Sequence, residues 1–85
     1  MERLICAITD PAGLHARPAS KLVHFASSLQ SKVTLIAGEK SVDAKSVLAV
    51  MTLGVPCGAQ ITFELEGDTE STDAMQLAEF CDENL

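Results

Sequence analysis

Tryptophan and tyrosine are absent from the chain, and phenylalanine occurs only three times. So little aromatic surface leaves no stacking platform for single-stranded nucleic acid. No apolar run approaches the roughly 20 residues that a bilayer-spanning helix needs. The opening MERLICAITDPAG lacks a basic segment followed by a long apolar one, so no signal peptide is expected. The three cysteines, Cys6, Cys57 and Cys81, cannot all pair and show no CxxC spacing. Neither a metal site nor a thioredoxin-like motif is indicated, and free thiols point to a reducing compartment, the cytoplasm. Cys6 and Cys81 sit among apolar positions and are expected in the core, Cys57 in an exposed turn.

Lysine and arginine are missing altogether from residues 46–85, which carry eight acids. All six basic side chains lie in residues 1–45 beside the other four acids, for a net charge of −6. Nucleic-acid phosphates repel such a chain as a whole. Any anion-handling surface belongs in the first half. With 85 residues, 47% of them hydrophobic, the chain has the length and composition of one globular domain over residues 1–85.

Periodicity then divides the chain. In residues 2–9 Leu4, Cys6 and Ile8 share one strand face, and Asp10-Pro11-Ala12-Gly13 signals a turn. Residues 16–29 read as an amphipathic helix with Pro18, Leu22, Phe25 and Leu29 inward. Its opposite stripe is Arg17, Ser20, Lys21 and His24. A hairpin follows, with strands at 33–37 and 41–43 around Gly38. Ser46 stands where the N-cap of a short helix over 47–53 belongs, with Gly54 as its stop. That helix is expected to bury Val47, Val50 and either Met51 or Leu53. Residues 61–66 alternate as a strand, Ile61, Phe63 and Leu65 inward. Residues 70–83 form a last helix with Ala74, Leu77, Ala78 and Cys81 on its buried side. The order β-α-β-β-α-β-α predicts an α+β open-faced β-sandwich, a four-stranded, largely antiparallel sheet with three helices on one face.

His15 is one of two histidines, and it sits between a glycine-containing turn and the start of the first helix. Free N–H groups at a helix N-terminus make an anion site, and Arg17 adds donors suited to phosphate oxygens. No second base, carboxylate or metal ligand is apparent near His15 in the sequence. Such an imidazole suits a nucleophile that accepts a phosphoryl group and holds it. Local pattern alone favours an ordinary N-cap or surface histidine. Ser46 has the same two faces: its hydroxyl is accounted for as a cap, worth about 1 kcal/mol, yet a phosphoserine there is tolerated by the fold and would bring negative charge beside Lys45.

GLHARPAS at 13–20 and KSVLAVMTLG at 45–54 together resemble HPr, the histidine-containing phosphocarrier family of the bacterial phosphoenolpyruvate-dependent sugar phosphotransferase system. The resemblance spans essentially the whole chain. It implies that His15 accepts phosphate on Nδ1 from the first enzyme of the system and passes it to sugar-specific IIA components. It implies that Arg17 stabilises the phosphoryl group, with the backbone N–H groups of Ala16 and Arg17. Ser46 matches a serine phosphorylated in many members by an ATP-dependent kinase, and that form binds a catabolite-control transcription factor. The implied docking surface joins Arg17, Ser20, Lys21 and His24 to Val47, Leu48 and Met51, with Leu48 exposed. A small carrier that exchanges partners is expected to be a monomer in the cytoplasm, with no metal or other cofactor.

Three positions depart from the common pattern. Ala12 stands where many relatives have Ser or Asn able to hydrogen-bond near the active site, Ala49 where many have Gly, and Leu48 where Met or Phe is common. Enteric-type relatives carry the serine without using it, so the resemblance does not decide whether Ser46 is modified here. Two rivals remain: a regulatory binding module of the co-repressor type switched by Ser46, whose family members lack the histidine, and a carrier in a nitrogen-related branch.

Overall fold

Alternating apolar residues set the sheet. In the computed structural model, which describes residues 1–85, the strands are β1 (Glu2–Ala7), β2 (Lys32–Ala37), β3 (Lys40–Asp43) and β4 (Gln60–Glu66). They lie in the order β1-β4-β2-β3, and all three pairings are antiparallel. β4 is central: Phe63 pairs with Leu4 on one side and Leu35 on the other. Every second residue therefore faces one side, and Cys6, Val33, Leu35, Ile61, Phe63 and Leu65 are buried there. Ile5, on the opposite face, is exposed.

The helices are α1 (Ala16–Ser27), α2 (Val47–Met51) and α3 (Glu70–Asn84). Leu22 and Ala26 of α1, Val50 of α2 and Leu77 and Cys81 of α3 join the sheet residues in one hydrophobic core. Cys6 and Cys81 are buried and Cys57 is exposed. No helix is long and apolar enough to cross a membrane. The architecture is the one that the pattern predicts, with all three sheet pairings antiparallel.

Several details differ. α1 ends at Ser27 rather than residue 29, because the Ser28 hydroxyl donates to the Phe25 carbonyl at 2.6 Å and the chain tightens into i−3 bonds at Ser28 and Leu29. α2 stops at Met51 in the same way: Leu53 N–H reaches Val50 O, and the Thr52 hydroxyl donates to Ala49 O at 2.7 Å. Val47 is exposed rather than buried, since this five-residue helix seals only Val50, with Leu53 following it inward in part. Phe25 and Ala78 are only partly buried. Phe25 instead stacks on Phe80 of α3, ring centroids 4.6 Å apart. β1 ends at Ala7 because its partner begins at Gln60; beyond it, Thr9 N–H donates to Leu85 O at 2.6 Å.

Two packing features hold the ends of these elements. Gly13 has φ 76°, and a Cβ placed there would lie 2.3 Å from Val55 O and 2.9 Å from Pro56 Cα. Both obstacles are backbone, so only glycine fits. Leu14 N–H then donates to Val55 O at 2.8 Å, tying the turn before α1 to the loop before β4. The second feature is Asp73, buried in the first turn of α3. Its Oδ2 accepts from Ser31 N–H at 3.0 Å, the Ser31 hydroxyl at 2.6 Å and the Thr69 hydroxyl at 2.8 Å. Burial pushes this carboxyl up, but the three hydrogen bonds, aided by the charge of Lys45, outweigh it and hold the group below the usual aspartate value.

Replacing Gly13 by Ala is expected to destabilise the protein by about 2–3 kcal/mol, from a strained φ and a backbone collision, as read by chemical denaturation. Asp73→Ala is expected to cost about 2–3 kcal/mol by leaving buried donors unpaired. Because the folded carboxyl titrates below its unfolded value, its contribution is complete above about pH 4 and is lost as the pH falls through the folded value. Thermal melts from pH 7 to pH 2 of the wild type and Asp73→Asn will show a smaller acid-side loss in the variant.

Candidate functional site

The turn before α1 positions the imidazole. Gly13 N–H donates to Asp10 O at 2.8 Å, and Ala12 N–H donates to Asp10 Oδ1 at 2.9 Å, a side-chain-stabilised turn of the kind that Asp favours. His15 follows in extended conformation, φ −87° and ψ −170°, as the N-cap of α1. Its carbonyl accepts from Ala19 N–H at 2.9 Å, but its side chain makes no capping bond. The imidazole is accordingly exposed, 39% of the side chain reaching solvent.

The first turn of α1 offers two free donors. Ala16 and Arg17 have no carbonyl four residues back within the helix, Pro18 has no N–H, and Ala19 is already bonded to His15 O. The backbone N–H groups of Ala16 and Arg17 are thus the pair available to an anion beside His15. The Arg17 side chain is exposed and forms no ion pair. These placements agree with what the sequence leads one to expect.

One neighbour is missing from the sequence reading, which saw no carboxylate near His15. Asp10 Oδ1 lies 3.4 Å from His15 Nε2. The same oxygen caps the turn, so a residue visible only as a turn former also reaches the ring. The Ala12 N–H holds the Asp10 carboxyl below the usual aspartate value, with His15 and the charge of Arg17 acting in the same direction. No hydrogen bond or ion pair occupies Nδ1. No group of three or more His, Cys, Asp or Glu side chains is gathered that would hold a metal ion.

Ser20, Lys21 and His24 are all exposed on α1. α2 packs against α1 and leaves Val47, Leu48 and Met51 uncovered, Leu48 most of all at 76%. The Ser46 Oγ accepts from Ala49 N–H at a long 3.4 Å, as N-cap of α2. No hydrogen bond or ion pair joins Ser46 to His15. The Lys45 ammonium, expected beside Ser46, instead donates to Leu29 O at 2.9 Å.

The family model described as PTS HPr component phosphorylation site matches residues 5–83. The phosphocarrier protein HPr of Mycoplasma capricolum subsp. capricolum is 43% identical over 68 residues, 80% of this chain and 76% of its own. Among solved structures, HPr-C-His from Thermoanaerobacter tengcongensis superposes with a TM-score of 0.91 at 33% identity, covering 99% of this chain and 94% of its own. Crh of Bacillus subtilis, a catabolite-repression protein whose structure is a swapped dimer, gives 0.75 at 32% identity over 100% of this chain and 98% of its own. The chain belongs to the HPr family: it is a phosphoryl carrier of the phosphotransferase system, serving that system's enzyme and IIA components, and is not a turnover enzyme.

Proposed function

We propose that His15 is the phosphoacceptor and that Nδ1 is the attacking atom. The observation that carries this reading is the exposed imidazole at the N-cap of α1, with Nε2 turned to Asp10 and Nδ1 without a partner. In the relay, Nδ1 attacks phosphorus on the first enzyme, at the expense of phosphoenolpyruvate, and the group then passes to sugar-specific IIA components. The Ala16 and Arg17 N–H groups and the Arg17 guanidinium receive the phosphoryl oxygens. Positioning and charge stabilisation dominate such transfers. A clamp of one guanidinium and two amides is modest, which suits a group that must leave again.

The docking surface on this reading is the exposed stripe Arg17, Ser20, Lys21 and His24 with the uncovered Val47, Leu48 and Met51. A cationic rim around apolar residues fits acidic partners, and a methionine adapts to several shapes. The carrier works in the cytoplasm as a monomer that exchanges partners. Ser46 is a regulatory phosphorylation site for an ATP-dependent kinase, with a catabolite-control transcription factor as reader of the modified form. Its capping bond is long at 3.4 Å, so modification would sacrifice little. The likeness to Crh favours a regulatory role as the second reading, in which Ser46 alone is modified.

Intact mass after incubation with phosphoenolpyruvate and first enzyme is expected to show one acid-labile phosphate, lost in His15→Ala. Incubation with ATP and kinase is expected to add an acid-stable phosphate, lost in Ser46→Ala. A stable phosphate with no labile one would select the co-repressor reading. Leu48→Ala, at an exposed position, is expected to shift stability by less than about 0.5 kcal/mol while raising the KM of the first enzyme for the carrier. Thermal melts and steady-state phosphorylation measure the two effects.

A further inference from the structure

The carboxylate of Asp10 is the one charged group that the structure places directly against the His15 ring, 3.4 Å from Nε2. The contact depends on a local device. Asp10 Oδ1 is fixed by the Ala12 N–H at 2.9 Å, while the Asp10 carbonyl closes the same turn with Gly13 N–H at 2.8 Å. Position 12 is alanine, so no side chain in this turn other than Asp10 offers the ring a hydrogen-bond acceptor. We propose that Asp10 is a positioning residue for phosphoryl transfer: its carboxylate keeps the ring proton on Nε2, presents the Nδ1 lone pair to the phosphoryl group, and stabilises the positive charge that the ring acquires. The proposal rests on His15 being the phosphoacceptor.

The chemistry follows from the electron count. A neutral imidazole protonated on Nε2 has its lone pair on Nδ1. When Nδ1 bonds to phosphorus, the donor's bond to phosphorus breaks and the donor leaves with that electron pair. The proton stays on Nε2, so the ring becomes cationic as the bond forms. A carboxylate on the Nε2 side is attractive to that charge and lies on the far side of the ring from the entering phosphoryl group. Histidine tautomers are commonly set in this way by what the second nitrogen meets. Asp10 stays ionised because the Ala12 amide, the ring and Arg17 all favour its charged form.

Asp10→Asn separates charge from turn capping. Asparagine keeps an acceptor for the Ala12 N–H and for Nε2–H but has no charge. Asp10→Ala removes both. With phosphoenolpyruvate and first enzyme, rapid-quench phosphorylation is expected to be about fivefold slower for Asn, the size of an exposed charge pair, and slower again for Ala. Thermal stability of Asp10→Asn should match the wild type. Nitrogen-15 NMR of the imidazole should find the neutral ring protonated on Nε2 in the wild type and Asp10→Asn, and shared between both nitrogens in Asp10→Ala. Wild-type rates in Asp10→Asn would reduce Asp10 to a turn former and overturn the proposal, as would an unaltered tautomer in Asp10→Ala. A His15→Ala control keeps the two readings apart. Labile phosphate in that control would remove His15 as acceptor. Its absence, together with wild-type Asp10 variants, would remove only the role of Asp10.

Discussion

The backbone of Gly13 lies so close to Val55 and Pro56 that no side chain fits between them. That approach joins the loop before α1 to the loop before β4, the central strand of the sheet. With Leu14 bonded to Val55 O and buried beside it, the chain has one way to enter α1. His15 must then take the N-cap in extended conformation, and its side chain must point out of the core. The free amides of Ala16 and Arg17 follow from the same start of the helix. The site is therefore a consequence of how two loops are clamped onto the sheet, and its few residues need no separate scaffold.

Charge is arranged to match. Residues 46–85 carry eight acids and neither lysine nor arginine, while the cations of residues 1–45 include Arg17 and Lys21 on α1. Two of the six cations of this overall negative chain, Arg17 and Lys21, thus lie on the helix that His15 caps. Asp10, one of the four acids of that half, lies in the turn before α1 beside His15. It meets the ring on the Nε2 side; on the proposed reading it would aid a ring that turns cationic and leave the Nδ1 side and the helix terminus to the phosphoryl oxygens. A carrier must bind the group and release it, so opposing small terms serve it better than one strong clamp.

The strands, the helices and their order were legible because period-2 and period-3.6 patterns survive burial on one side. The positions of His15, Ala16, Arg17 and Ser46 at helix starts were legible because the pattern locates those starts. Asp10 beside His15 was not, since side chains five residues apart meet only through the particular turn that Ala12 and Gly13 close. The Asp73–Ser31 link crosses 42 residues of sequence and leaves no local trace. Phe25 and Val47 were misplaced for a shared reason. Helical spacing tells which residues share a face, but the depth of that face depends on neighbouring elements, and here Phe80 and the shortness of α2 decide it.

That shortness bears on recognition. A helix of five residues presents little more than one turn, so only Val50 can be sealed against the core. Val47, Leu48 and Met51 are left in water not because the fold lacks apolar neighbours but because one turn cannot face two ways. On the proposed reading these three residues belong to the surface that a partner covers. A patch of three residues is enough to add to an encounter and too small to hold a complex for long, and a protein that must hand its phosphoryl group from one partner to the next needs contacts of that size.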